Sequence, residues 1–237
     1  LIAAVKKNKA ALGVATDGDA DRYGIIDSDG SYIQANQVLP LLLDYLMDTR
    51  KWKGSVVRSV ATSHMLDRVA ELRGLKLHET PVGFKYIGEI MTKEAIVIGG
   101  EESNGLTVHG HIPEKDGIAA CLLVVEMAAV RKKSIKQLLS RLEKKTGPFF
   151  TDRVNLRLKP DKMEALTGKL KGFSGKNIGE FRIEKIITVD GYKFMLGHGN
   201  WLMIRLSGTE PVVRIYAEAK DKKTLAAVIA EGKNCLL

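Results

Sequence analysis

Three carboxylates stand at alternate positions in the run Asp17-Gly18-Asp19-Ala20-Asp21-Arg22. On an extended backbone, side chains two residues apart share a face, so Asp17, Asp19 and Asp21 would point the same way. Gly18 and Ala20 are small enough for the run to curl and bring the oxygens together. Three negative charges in one loop repel one another unless a cation sits among them. Oxygen-only ligands suit a hard divalent ion, Mg2+ before Ca2+ or Mn2+. A calcium loop of the EF-hand kind is excluded: its sixth position wants Gly and its twelfth Glu, where this chain has Arg22 and Ser28.

Two further loops carry chemistry. Gly99-Gly100-Glu101-Glu102-Ser103-Asn104-Gly105 follows the apolar run 95–98. If that run is a strand of a parallel sheet, the loop lies at its carboxyl end, where ligands bind. The glycines let the backbone approach a ligand, and the Glu101 carboxylate can accept from two neighbouring hydroxyls while Ser103 donates. Arg205-Leu206-Ser207-Gly208-Thr209-Glu210-Pro211, with Arg214 beyond it, combines hydroxyls, backbone N–H groups around Gly208 and guanidinium groups. That is the composition of an anion nest, and Arg suits bidentate phosphate binding.

These three segments resemble, in order, loops of the α-D-phosphohexomutases, the phosphoglucomutase and phosphomannomutase family. The run 16–22, TDGDADR, is similar to the family's metal-binding loop, and 99–105 to its sugar-binding GEESG loop, departing at Asn104 where Gly is commoner. Asn tolerates positive φ, which keeps the loop shape available. The run 205–214 is similar to the phosphate-binding pattern RxSGTEPxxR. Lys85 in 80–85, TPVGFK, matches the place of a substrate-facing lysine, and 111–117, HIPEKDG, resembles the phosphoglucomutase branch.

The resemblance implies an enzyme that moves a phosphoryl group between O1 and O6 of a hexose phosphate, glucose or mannose. A phosphoserine donates, the intermediate is a bisphosphorylated sugar, and hexose 1,6-bisphosphate is the activator. Mg2+ would be held by Asp17, Asp19 and Asp21, with Arg22 and Lys85 in support. Glu101, Ser103, His111 and Lys115 would read the sugar, and Arg205, Ser207, Gly208, Thr209 and Arg214 would clamp the distant phosphate. Glutamate at 102, where the family's glucosamine mutases usually carry Gln, weighs against an aminosugar. The family's catalytic serine motif is not matched: Ser63-His64 lacks the following Asn-Pro and comes after the metal loop. The expectation is therefore a fragment, inactive alone, whose partners are the hexose phosphate and the missing N-terminal domains. A non-catalytic phosphosugar and Mg2+-binding module is the alternative.

Composition narrows the class. The chain has 237 residues, 45% hydrophobic and 27% charged, the balance of a globular protein. No apolar run reaches the roughly 20 residues of a membrane helix, so no membrane is expected. Cys121 and Cys235 form no disulfide or metal spacing, which together with the lack of a signal peptide predicts a cytoplasmic protein. The net charge of +9 comes from scattered lysines and arginines with 6% aromatics, which suits an anionic small molecule and predicts no nucleic-acid partner.

The loops need a scaffold. A short helix leads into a strand at 11–16, too little for a sheet, so residues 1–31 read as the end of a truncated α/β domain. Residues 32–147 alternate helices with strands at 55–60, 75–79 and 95–98, which predicts a mixed or parallel α/β sheet. Asp116 and Ser134 cap two helices, the first almost wholly apolar inside. Gly147-Pro148 marks a linker. Residues 148–237 alternate as strands around the Asp190-Gly191 hairpin signal, predicting a small α+β domain with an antiparallel sheet.

Overall fold

The computed structural model describes residues 1–207 and 210–235. The chain divides into two compact units, Leu1–Gly147 and Pro148–Leu237.

The first unit holds two sheets. Helix α1 (Ile2–Asn8) precedes β1 (Leu12–Thr16), which pairs antiparallel with β2 (Tyr23–Asp27), itself paired with β3 (Tyr32–Ile33). The sequence signals no strands over 23–33. Here Ile25 and Ile26 are buried in β2, and Gly30 at φ 86° makes the turn into β3. The start of the chain is thus a three-stranded meander rather than a single strand. Helix α5 (Gly117–Arg131) packs on β1 and β2.

The second sheet has the order β5 (Leu77–Thr80), β4 (Ser55–Ser59), β6 (Ile96–Gly100), β7 (Leu106–Val108). Strand β4 pairs parallel with β5 and β6, while β7 returns antiparallel to β6. All five residues of β4 and of β6 are buried, as expected of strands covered on both faces. The connections are helical: α3 (Met65–Leu72) links β4 to β5, and α4 (Phe84–Met91) links β5 to β6. Helix α2 (Ala35–Thr49) contributes Leu39, Leu42, Leu43 and Leu46, all wholly buried. Helix α5 is not buried all round, since Ile118, Leu122 and Val125 are exposed along it.

Two capping contacts fix the start of one helix. Ser134 and Gln137 form a reciprocal box at the start of α6 (Ile135–Thr146). Asp27, only 1% exposed at the end of β2, reaches the same helix end. Its Oδ1 accepts from Ile135 N (3.3 Å) and Ser28 N (2.8 Å), and its Oδ2 from Lys136 N (2.8 Å). One buried carboxylate thereby satisfies donors that a helix start would otherwise leave unpaired.

The second unit is a six-stranded antiparallel sheet with helices α7 (Pro160–Lys171) and α8 (Lys222–Asn234). Its order is β8 (Phe150–Arg157), β13 (Val212–Ala219), β12 (Trp201–Leu206), β11 (Tyr192–Leu196), β10 (Phe181–Ile187), β9 (Asn177–Ile178). Leu202, Ile204, Val213, Ile215 and Ala217 alternate onto the face that packs with Leu166, Leu170, Val228 and Ile229 of the helices. The chain is therefore mixed α/β, with one sheet containing parallel strands and an antiparallel α+β unit after it. No helix among the described residues is long and apolar enough to cross a membrane.

Candidate functional site

The acidic loop joins β1 to β2 and is a turn, not an extended run. Ala20 takes φ 59°, its N–H donates to Asp17 O (3.2 Å), and Asp17 N donates to Arg22 O (3.3 Å). This corrects the expectation that strand alternation aligns the three carboxylates. Asp17 Oδ1 accepts from Arg22 N at 3.2 Å, and Asp21 Oδ2 lies 2.9 Å from Lys115 Nζ. Asp17 and Asp21 thus turn to different partners. Among the described residues no three His, Cys, Asp or Glu side chains stand close enough together to hold a metal ion. The donor chemistry of the loop still fits a hard cation: every ligand is an oxygen, and an ammonium already sits against Asp21. A cation bound through Asp21 Oδ2 would compete with the Lys115 ammonium for it.

Arg22 is exposed and lies 4.0 Å from the Asp21 carboxylate. Close packing holds this loop in place from below. Gly117 N donates to Ala20 O at 2.9 Å, and a Cβ at Gly117 would stand 2.4 Å from Arg22 O. Only glycine fits there, because the clash would be with backbone.

The Glu101–Gly105 loop stands at the carboxyl end of β6. It is closed by Glu101 N to Gly105 O (3.0 Å) and Asn104 N to Glu101 O (3.2 Å). Glu101 is 5% exposed. Its Oε1 accepts from Gly83 N at 2.7 Å, and Ser103 Oγ lies 3.5 Å from Oε2. Gly83 has φ 134°, a conformation few side chains permit, so the 80–85 turn is built to offer that N–H. Burial pushes the Glu101 carboxyl above its ordinary value; the Gly83 N–H opposes this, Glu102 adds to it, and Lys115 and Ser103 counter it.

Glu102 is tied elsewhere. Its Oε2 accepts from Ser59 Oγ at 3.0 Å and its N–H donates to Thr62 Oγ1 at 3.2 Å, with Ser59 and Thr62 2.9 Å apart. By residue type, Thr62-Ser63 reads as a helix cap. Ser63 does receive Met65 N at 3.0 Å, whereas Thr62 serves the loop after β6.

Lys115 sits between loops, its Nζ 2.9 Å from Asp21, 3.1 Å from Glu114 and 5.7 Å from the centre of the Phe84 ring. His111 Nε2 is 2.8 Å from Asp116 Oδ2. Asp116 is the cap of α5, accepting from Ala119 N at 2.9 Å, and that N–H with His111 holds its carboxyl below the ordinary value. Lys85 is exposed, its Nζ 4.8 Å from the centre of the Tyr86 ring.

In the second unit, Arg205 on β12 and Arg214 on β13 are opposite partners across the ladder. Like charges so placed repel unless an anion lies between or beside them. Arg205 Nε is 2.9 Å from Asp190 Oδ2, and Arg214 is 3.8 Å from Glu210. Ser207 Oγ accepts from Glu210 N at 3.3 Å. Gly208 and Thr209 lie outside the described residues.

Two family models match the chain. Residues 34–146 match the family model "Phosphoglucomutase/phosphomannomutase, alpha/beta/alpha domain III", and residues 153–232 match "Phosphoglucomutase/phosphomannomutase, C-terminal domain". The chain belongs to the α-D-phosphohexomutase family. A phosphoglucomutase/phosphomannomutase of Thermococcus kodakarensis is 32% identical over 92% of this chain and 45% of its own length. A phosphoglucosamine/phosphogalactosamine mutase of Sulfurisphaera tokodaii is 32% identical over 97% of this chain and 49% of its own. Among solved structures, a candidate phosphomannomutase from Thermus thermophilus superposes with a TM-score of 0.78 at 32% identity, over 98% of this chain and 48% of that one. The chain thus spans about half the length of the relatives it matches. As a member of this family it carries the three loops on two folding units, and residues 1–33 precede both family matches.

Glu101 yields a pH-dependent prediction. Its folded-state carboxyl binds a proton more readily than in the unfolded chain, whose ordinary value is 4.5. The native state then holds more protons just above that pH, so stability from this group is present below it and falls as pH rises through the folded value. Glu101→Gln keeps an acceptor for Gly83 N and removes the charge. Urea unfolding is expected to show the variant gaining on the parent as pH rises above 4.5, and parallel curves would refute the assignment.

Proposed function

We propose that this chain provides the cation-, sugar- and phosphate-binding parts of a mutase that interconverts hexose 1-phosphate and hexose 6-phosphate, with glucose or mannose as the sugar. The observation that carries the reading is Glu101. A buried carboxylate at the carboxyl end of β6, with one oxygen held by Gly83 N–H at 2.7 Å, is an acceptor pre-set for hydroxyls. Together with Ser103 it would read O3 and O4, which take equivalent places when the sugar turns over between two transfers.

The remaining roles follow from charge. Asp17, Asp19 and Asp21 would hold Mg2+, which neutralises charge at a transferring phosphoryl group. Lys115, released from Asp21 when the cation enters, would turn to the sugar together with His111, and Arg22 and Lys85 would support the phosphoryl group. Arg205, Ser207, Gly208, Thr209 and Arg214 would clamp the phosphate that is not reacting. A hexose 1,6-bisphosphate would serve as activator, and a phosphoserine outside these residues as donor. Catalysis then depends on more than these groups, since positioning does not replace a covalent carrier. Preference for a neutral sugar over an aminosugar rests on Glu102, whose carboxylate is engaged by Ser59.

The test is calorimetric titration of the chain with glucose, glucose 1-phosphate, mannose 1-phosphate and glucosamine 1-phosphate. Glucose 1-phosphate is expected to bind well above glucose, and Arg205→Ala to weaken it roughly tenfold or more, as befits one charge-assisted contact of about 1.5–3 kcal/mol. Equal binding of glucose and glucose 1-phosphate would remove the phosphate clamp. Tighter binding of the glucosamine ester would move the sugar assignment.

A further inference from the structure

The acidic loop and the sugar-reading loop are fastened together at one side chain. Asn104 stands at φ 70°, and its backbone oxygen accepts from Tyr23 N at 3.3 Å. Its Nδ2 donates to Tyr23 O at 2.6 Å and to Tyr32 Oη at 2.9 Å. The next residue, Gly105, forms an antiparallel bridge with Arg22 and accepts from Glu101 N at 3.0 Å. On the other side Arg22 N donates to the Asp17 carboxylate at 3.2 Å. A continuous run of contacts therefore joins the Asp17 carboxylate to the Glu101 backbone. The same concave surface is lined by Thr16, Asp17, Arg22, Ser103 and Asn104.

A glycine could supply the positive φ alone. The amide does more, because it holds both β2 and β3 to the loop after β6. We propose that Asn104 is a positioning residue that couples the two loops. A cation drawing in Asp17 and Asp21 shifts Arg22 and Tyr23, and Asn104 passes that shift to Glu101 and Ser103. By reciprocity, a phosphosugar at Glu101 raises the affinity of the acidic loop for the cation. The coupling rests on the cation and sugar sites proposed above, whereas the fastening itself does not.

Two measurements test it, using Asn104→Gly, which keeps the backbone conformation available, and Tyr32→Phe, which removes a single contact. Without ligand, hydrogen exchange at Tyr23 and Asn104 amides is expected to quicken roughly tenfold in Asn104→Gly, the equivalent of one or two lost hydrogen bonds. The Val56 amide in β4 should stay unchanged. Unaltered exchange at Tyr23 would overturn the fastening, whatever the ligands do. With ligands, Mg2+ is expected to strengthen glucose 1-phosphate binding by the parent about fivefold or more. That factor should shrink below about twofold in Asn104→Gly and lie between in Tyr32→Phe. An equal factor in parent and Asn104→Gly, or binding of both ligands to the parent with no factor at all, would overturn the coupling. Failure of the parent to bind either ligand at all would instead overturn the proposed function and the coupling with it.

Discussion

Replacing Arg58 by Met is expected to destabilise the first unit by about 3 kcal/mol, the low end for breaking a buried ion pair. Arg58 lies on β4 and is 3% exposed. Its guanidinium forks onto Asp67, with Nε to Oδ2 at 2.6 Å and Nη2 to Oδ1 at 2.7 Å. Nη1 reaches Glu79 at 2.7 Å and the Ser59 carbonyl at 3.0 Å. Burial works against the positive charge, and the Asp67 and Glu79 carboxylates outweigh it. Removing the guanidinium leaves those two carboxylates facing each other. Their side chains are 36% and 23% exposed, so water takes up part of the loss and the upper end of the range is not reached. Lysine should recover less than half, because an ammonium cannot fork onto a carboxylate. Urea unfolding measures both variants, and a loss under about 1 kcal/mol for Met would show that the network contributes little.

The second large effect is expected at Asp27→Ala, about 2–3 kcal/mol. The substitution strips the acceptor from Ile135 N and Lys136 N at the buried start of α6 and from Ser28 N. Ser134 keeps its own bond with Gln137, so the helix itself survives and its attachment to β2 is lost. Asp27→Asn retains one acceptor and should recover about half of the loss. Hydrogen exchange at Ile135 and Lys136 separates the two explanations: faster exchange there with α6 otherwise protected fits a lost attachment. Uniformly faster exchange through α6 would mean that Asp27 nucleates the helix.

Much of this architecture is legible in the residues because its signals are local. Asp116 and Ser134 announce their helices, Asp190-Gly191 its hairpin, and Ile96 to Ile98 a buried strand. The three chemical loops are legible for the same reason, each being a contiguous string. The contacts that shape those loops are not. Lys115 reaches Asp21, Ser59 reaches Glu102, and Tyr23 meets Asn104 across long stretches of chain, with no local pattern to mark them. Strands β2 and β3 escape notice because Ile25-Ile26 is a short apolar pair behind an acidic turn, and only pairing with β1 makes it a strand. The turn at Ala20 is hidden too, since alanine rarely takes positive φ and gives no hint of it. Arg58 does leave a signal, a guanidinium directly after the apolar pair Val56-Val57 of a strand, which points to carboxylate partners.

The strand order of the second unit bears on how it comes into being. Its first strand, β8, finds its place only against the last, β13, from Phe150 with Ala219 to Arg157 with Val212. The intervening strands are joined by hairpins and can assemble as soon as they are made. During synthesis β8 therefore waits for most of the unit to emerge, a few seconds at roughly 5–20 residues per second. Over that time it is an unpaired ribbon with Val154 and Leu156 on one side, the kind of edge that recruits strands from other chains. Arg153 and Arg157 on the same strand supply the charge that discourages such pairing. Non-local closure of this sort places the risk of misassembly at the moment before β13 appears.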